Sequence, residues 1–164
     1  MADEIEIRMD EYGHQANNAN CVWSQANISP NTHMASGWLM RSSETADLNI
    51  ALPVPIPTTI NGTPAGKLVV QWITSSSDTS TTVTFNCYLS DIQINTDVVN
   101  PTTFDQANAS LADTSNGAAI LNEAVLNISG PSLTAGRGLR GIVRRVGSVF
   151  DVYVTGVFFR ADKA

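Results

Sequence analysis

From Leu48 to Ile56 every second residue is apolar: Leu48, Ile50, Leu52, Val54 and Ile56 alternate with Asn49, Ala51, Pro53 and Pro55. A side-chain period of two belongs to an extended strand, and a strand hides one face only by lying in a sheet packed against another layer. The same period returns in Leu68, Val70 and Trp72, and again in Val83, Phe85, Cys87 and Leu89, with Thr82, Thr84, Asn86 and Tyr88 opposite. It is strongest near the end, where Val149, Asp151, Tyr153, Thr155 and Val157 would share one face and Phe150, Val152, Val154 and Phe158 the other. Apolar residues on both faces there suit a central strand, or one facing a partner subunit. No segment shows convincing helical spacing. Pro53, Pro55 and Pro57 cannot donate ladder hydrogen bonds, so the second half of the first strand should run at a sheet edge or leave the sheet.

Composition agrees with strands and turns. The 164 residues suit one domain with a core of its own. Apolar residues make up 43% but charged ones only 15%, against roughly a quarter in an average protein. Neutral Ser, Thr and Asn must therefore cover much of the surface, and these residues favour strands and turns over helices. The net charge of -6 and pI near 4.6 exclude the basic face by which a general nucleic-acid binder displaces counterions. No apolar run approaches the roughly 20 residues of a membrane-spanning helix. The acidic leader "MADEIEIRMDEYG" lacks the basic and apolar regions of a secretory signal, so synthesis and assembly inside a cell are expected. Cys21 and Cys87 form no disulfide framework; both are expected as thiols, Cys87 in the core.

The chain divides into an N-terminal arm, residues 1–36, and a body, residues 37–164. In the arm, "EIEIRM" places Ile5, Ile7 and Met9 on one side, while Asn and Pro interrupt every pattern from Glu11 to Ser36 and predict irregular structure. In the body, Lys67 to Trp72 and Val83 to Leu89 read as an antiparallel hairpin, with Ser75 to Ser80 as a hydroxyl-rich loop that satisfies its own backbone. Thr102 to Thr114 could hold one helical turn capped by Thr103 or Asp105. Counting predicts seven or eight strands without crossover helices: an all-β antiparallel sandwich or barrel.

Catalytic chemistry is absent from the pattern. His14 and His33 have no Cys or carboxylate at ligand spacing, and Cys21 with His33 is no zinc motif. Gly-rich "AGRGLRG" precedes a strand, not a helix, so it reads as a turn and not as a phosphate cradle. Carboxylate pairs in the leader suit a solvated or partner-seeking arm. No catalytic, metal or cofactor residue is assigned. One charge feature stands out: Arg137, Arg140, Arg144 and Arg145 fall within nine positions. On a strand Arg140 and Arg144 share a face with Ile142, and Arg145 takes the opposite one with Val143. They are either ordinary solvated positions or an inter-subunit contact, since guanidinium forks pair well with carboxylates at interfaces.

The succession "ADLNIALPVPIP", "AGKLVVQWITSSSDTSTTVTFNCYL", "EAVLNIS" and "GLRGIVRRVGSVFDVYVTGVFFR" resembles a jelly-roll family of tailed-phage virion proteins, which includes capsid decoration (cement) proteins and some fibre or appendage domains. Its marks are the proline-bounded strand, the Ser/Thr loop with Trp72 and Phe85 on either side, and the basic strand before the long closing one. The sequence departs from it at Phe85 and at Gly147 with Ser148. The resemblance implies a jelly-roll β-sandwich, a homotrimer, and a place on the capsid exterior with the major capsid protein as partner. In that role the arm residues Glu4, Ile5, Ile7, Arg8, Val22 and Trp23 are the candidate capsid contacts, and Arg137, Arg140, Arg144 and Arg145 the candidate inter-subunit or capsid contacts. Two alternatives stand beside it. One is a carbohydrate- or receptor-binding domain of a fibre or appendage, for which Trp38, Tyr88 and Tyr153 are the residues to watch; two rings on an open face flanked by Asn or Asp would favour it. The other is a tail or baseplate component.

Overall fold

The computed structural model describes residues 4–13, 21–28, 33–42, 45–58, 66–93, 104–146 and 150–163; the side chains of 12, 13, 26–28 and 33–35 are outside that description. These residues form eleven strands: β1 (Glu4–Arg8), β2 (Asp10–Gly13), β3 (Cys21–Ile28), β4 (His33–Met40), β5 (Ala46–Ala51), β6 (Gly66–Thr74), β7 (Thr82–Ile92), β8 (Gln106–Thr114), β9 (Asn122–Ile128), β10 (Gly138–Arg145) and β11 (Val152–Asp162). Every pairing is antiparallel. Sheet A has the order β3-β4-β11-β6-β9, with β1 also along β11, and sheet B the order β2-β5-β10-β7-β8. From β4 onward each strand crosses to the other sheet, except β7 to β8, which are neighbours. That order, β4-β11-β6-β9 over β5-β10-β7-β8, is a jelly roll.

The alternation read from the sequence fills the space between the sheets. Leu48, Ile50, Val83, Phe85, Cys87 and Leu89 enter from sheet B, and Leu68, Val70, Trp72, Val154 and Phe159 from sheet A, all buried in one cluster. Full burial of such side chains contributes roughly 1.5–3 kcal/mol each. β5 stops at Ala51, before the prolines, and the chain continues beside β10 through bonds from Leu52 N to Leu139 O (2.9 Å) and Ile56 N to Arg137 O (2.8 Å). Ile56 stays buried while Val54 turns to solvent.

Four expectations are corrected. Lys67–Trp72 and Val83–Leu89 are not a hairpin: β6 pairs with β11 and β9, β7 with β10 and β8, and the Ser/Thr loop crosses between the sheets. That loop does satisfy itself, because Asp78 accepts from Ser80 N (2.7 Å), Ser80 Oγ (2.8 Å) and Thr81 Oγ1 (2.5 Å). Gln106–Thr114 is a strand instead of part of a helical turn; Thr102 and Thr103 lie outside the described residues. Strict alternation fails in β11, where a bulge at Thr155 shifts the register, so Val157 points inward and Phe158 outward. Val149 lies outside the described residues, as do Gly147 and Ser148.

The fourth correction concerns irregular structure from Glu11 to Ser36, where the described residues form β3 and parts of β2 and β4. The first residues act as a clasp between the sheets. β1 pairs with the end of β11, and β2 pairs with β5 in the other sheet. Between the β4 and β1 pairings the bulged edge of β11 is completed mostly by side chains. Val157 N donates to Glu11 Oε1 at 2.7 Å, Arg8 Nη2 donates to Thr155 O at 3.0 Å, and Met9 N donates to Val157 O at 2.8 Å. Glu11 Oε2 also accepts from Trp38 Nε1 at 3.0 Å. Its side chain is 5% exposed, so this carboxylate stands in for a strand where an unpaired backbone group would cost about 1–3 kcal/mol.

Candidate functional site

The outward face of sheet B carries the side chains left over after the core is filled. On β7 these are Thr84, Asn86 and Tyr88; on β10 Arg140, Ile142 and Arg144; on β5 Asp47 and Asn49, each alternating with a buried residue. Antiparallel register sets Tyr88 beside Ile142, Arg144 between Asn86 and Asp47, and Asn49 beside Ile142. Gly141 permits the close approach of β10 to β7, since a Cβ there would meet Tyr88 O at 2.2 Å.

Opposite Tyr88 the register of β8 slips: Cys87 faces Ala109 but Leu89 faces Gln106. The resulting bulge holds Asn108 at φ +52, a left-handed conformation that Asn tolerates better than most residues. Such bulges re-aim side chains. Here Asn108 Oδ1 is brought to accept the hydroxyl of Tyr88. Phe104 lies beside the ring, centroids 5.4 Å apart and tilted by 58°. The Arg144 guanidinium stands 5.1 Å from the Tyr88 centroid, a cation–π contact, and forks onto Asp47 at 2.6 and 2.7 Å. That fork, ahead of the opposing effect of burial, holds the guanidinium firmly charged, its pKa well above the ordinary value. A relay Asp47–Arg144–Tyr88–Asn108 therefore crosses β5, β10, β7 and β8 and fixes one aromatic platform.

The residues singled out from sequence separate into distinct roles. Glu4 pairs with Lys67 (3.6 Å), and Ile5 and Ile7 are half-buried in β1. Arg8 serves the β11 edge and approaches Glu11 at 3.7 Å. Val22 and Trp23 are exposed on edge strand β3, Trp23 by 52%, with Trp23 edge-on to Trp38 at 5.5 Å. Arg137 pairs with Asp91 (3.3 Å), and Arg140 is exposed. Arg145 is no surface contact: fully buried, it donates to the carbonyls of Met40 and Phe150. Burial lowers its pKa to about 10, against the opposing charge of Asp151. Its job is to join β10 to the end of β4 and to the segment that leads into β11.

Of the three aromatics to watch, Trp38 is held by Glu11 and Tyr153 is 9% exposed, leaving Tyr88 on an open face. Phe104, Asn108 and Asp47 are not singled out as site residues by the sequence. Phe104 and Asn108 lie in the stretch with no readable period, and Asp47 gains meaning only opposite Arg144. Among the described residues no group of three or more His, Cys, Asp or Glu is placed to hold a metal; His14 and the His33 side chain are outside them. Burial raises the Cys21 thiol to about 12 and Cys87 still further, so neither is a poised nucleophile.

No protein-family model matches the sequence, and no curated protein matches it. Solved structures with a similar backbone include a xylan-binding module CBM15 (10% identity, TM-score 0.48, 98% of this chain and 97% of that one). Another is TmCBM61 in complex with β-1,4-galactotriose (9%, TM-score 0.47, 92% and 86%). A third is the enzymatically active domain of bacteriophage CBA120 tailspike protein 4 (10%, TM-score 0.42, 98% of this chain but 19% of that one). The jelly-roll assignment rests on the chain's own strand order.

Proposed function

We propose that the chain is a non-catalytic binding module that holds a glycan on the outward face of sheet B. The observation that carries this reading is the fixed Tyr88–Phe104 pair on an open face, flanked by Asn108, Asn86, Asn49 and Asp47. A pyranose ring offers an apolar C–H face and a rim of hydroxyls that both donate and accept. Aromatic rings suit the first, and carboxamides, which carry both functions, suit the second. Preorganisation by the Asp47–Arg144–Tyr88–Asn108 relay limits the ordering cost on binding.

The test is affinity electrophoresis on a panel of immobilised polysaccharides, followed by titration calorimetry with the best of them. Retardation that disappears in Tyr88→Ala, with the fold intact by circular dichroism, supports the reading; retardation unchanged in that variant removes it.

A second reading is favoured by one observation, the exposure of Val22 and Trp23 on edge strand β3. In it the module is a virion component, attached to a capsid or tail through that edge, on the virion exterior and as a homotrimer. A sedimentation mass of three chains, with co-pelleting on undecorated capsids that Trp23→Ala abolishes, would support it; a monomer that ignores capsids would remove it.

A further inference from the structure

The outer face of sheet B places a carboxylate against the guanidinium that would otherwise be its strongest anion receptor. Arg144 uses Nε and Nη2 on Asp47 at 2.6 and 2.7 Å, and Nη1 faces the Tyr88 hydroxyl at 3.4 Å. Both Asp47 oxygens are taken by this fork, which is the strong bidentate geometry. The pair spans neighbouring strands in direct register, Arg144 opposite Asp47, so it is part of the sheet's own cross-strand order. Beside the rings this leaves groups that are polar and uncharged: Asn49, Asn86, Thr84 and Ser110, whose side chains make no hydrogen bond among the described residues. Arg140, exposed on the same face, lies as far along β10 from Ile142, the residue opposite Tyr88, as Arg144 does on the other side, and has an interaction of its own. A chain of uronic or sialic acids laid across Tyr88 would bring carboxylates to Asp47 and find the guanidinium against the ring already committed to that carboxylate. An uncharged chain would find donors and acceptors in the number its hydroxyls need.

We infer that this face selects an uncharged polysaccharide, and that the Asp47–Arg144 pair is a positioning device and a screen against acidic glycans. The inference rests on the glycan-binding reading and narrows it to a substrate class. The pair's oxygens and nitrogens contact each other, and Arg144 alone reaches Tyr88, so the pair acts through the platform.

The experiment uses the full chain with β-1,4-xylan and β-1,4-galactan as uncharged probes and polygalacturonate as the acidic one, each at low and high salt. Wild type is expected to bind an uncharged probe with an affinity that changes less than about twofold with salt, since no counterion is released, and to leave polygalacturonate unbound. Asp47→Asn uncovers the guanidinium: retention on polygalacturonate should appear, at least about tenfold above wild type at low salt and lost at high salt, while the uncharged probe weakens severalfold. Should that variant fail to fold, the wild-type salt comparison still decides. Wild type bound to polygalacturonate, with affinity falling steeply with salt, overturns the inference and leaves glycan binding standing. Absence of binding to every probe overturns both.

Discussion

Two tyrosines sit near the middle of the two sheets, each on an outward face, and they have opposite fates. Tyr153 of β11 faces Leu39 on one side and Ile73 on the other, and with Ala118 these form a small second core in which Tyr153 is 9% exposed. The β8–β9 connection lies against this end of sheet A, tied down by Ala119 N to Thr74 O at 2.9 Å. Burial, and secondarily the charge of Asp151, raises the Tyr153 phenol pKa. Among the described residues Tyr88 of β7 joins no such apolar cluster and is half-buried. Its hydroxyl is spoken for by Asn108 and Arg144, and its ring stays at the surface beside Phe104. The residue type is the same; what differs is whether neighbours supply apolar cover or oriented polar groups. The first arrangement holds a fold together, and the second prepares a surface.

Mutation should separate the two. The largest expected effect is Tyr153→Ala, which empties part of the second core: about 3–5 kcal/mol of stability, read as a fall in melting temperature on the order of 10 °C, with glycan affinity retained in the folded fraction. Tyr88→Ala should do the reverse, weakening glycan binding roughly 30-fold, about 2 kcal/mol, and shifting the melting midpoint by only a few degrees. If both variants lose stability equally, the distinction between the faces collapses.

A finer cut is Asn108→Gly. Glycine accepts a φ of +52 without a Cβ, so stability should hold or rise by a few tenths of a kcal/mol. Binding should still fall severalfold in calorimetry, because the Tyr88 hydroxyl loses its acceptor. The smallest effect concerns sheet A's polar fringe. Glu123 accepts from Arg160 at 2.9 and 3.0 Å and from Gln71 at 2.7 Å, and these bonds, Arg160's first, hold its carboxyl below the ordinary value of 4.5. A carboxyl depressed in the folded state stabilises above its unfolded pKa, and that contribution fades as pH falls through the folded value. Glu123→Gln should therefore flatten the acid limb of a melting-temperature profile below pH 4.5 and leave sheet B binding at neutral pH untouched.

Much of the fold was legible because its signal is local. Ile5, Ile7 and Met9 alternate as read, and Arg145 was placed opposite Arg144 from strand geometry alone. The strands between Glu11 and Ser36 were not legible, since β2 and β3 show no clean period and owe their place to partners in β5 and β4. Glu11 looked like part of a solvated acidic leader; its near burial comes from the β11 bulge that needs an acceptor there. The candidate site was legible in Tyr88 and Arg144 but not in Phe104, Asn108 or Asp47, because a bulge and a cross-strand register cannot be read from either strand alone.

By itself the sequence determined that alternating side chains would face one another across two antiparallel sheets, because a period of two is a property of each strand and needs no knowledge of its neighbours. Tertiary structure alone decided that β6 and β7 lie in opposite sheets, and that Asp47 would meet Arg144 across 97 positions of chain. The reason is that pairing and register are relations between distant segments. They are set by which burial and hydrogen-bond arrangement of the whole chain is lowest in free energy, not by any one segment's pattern.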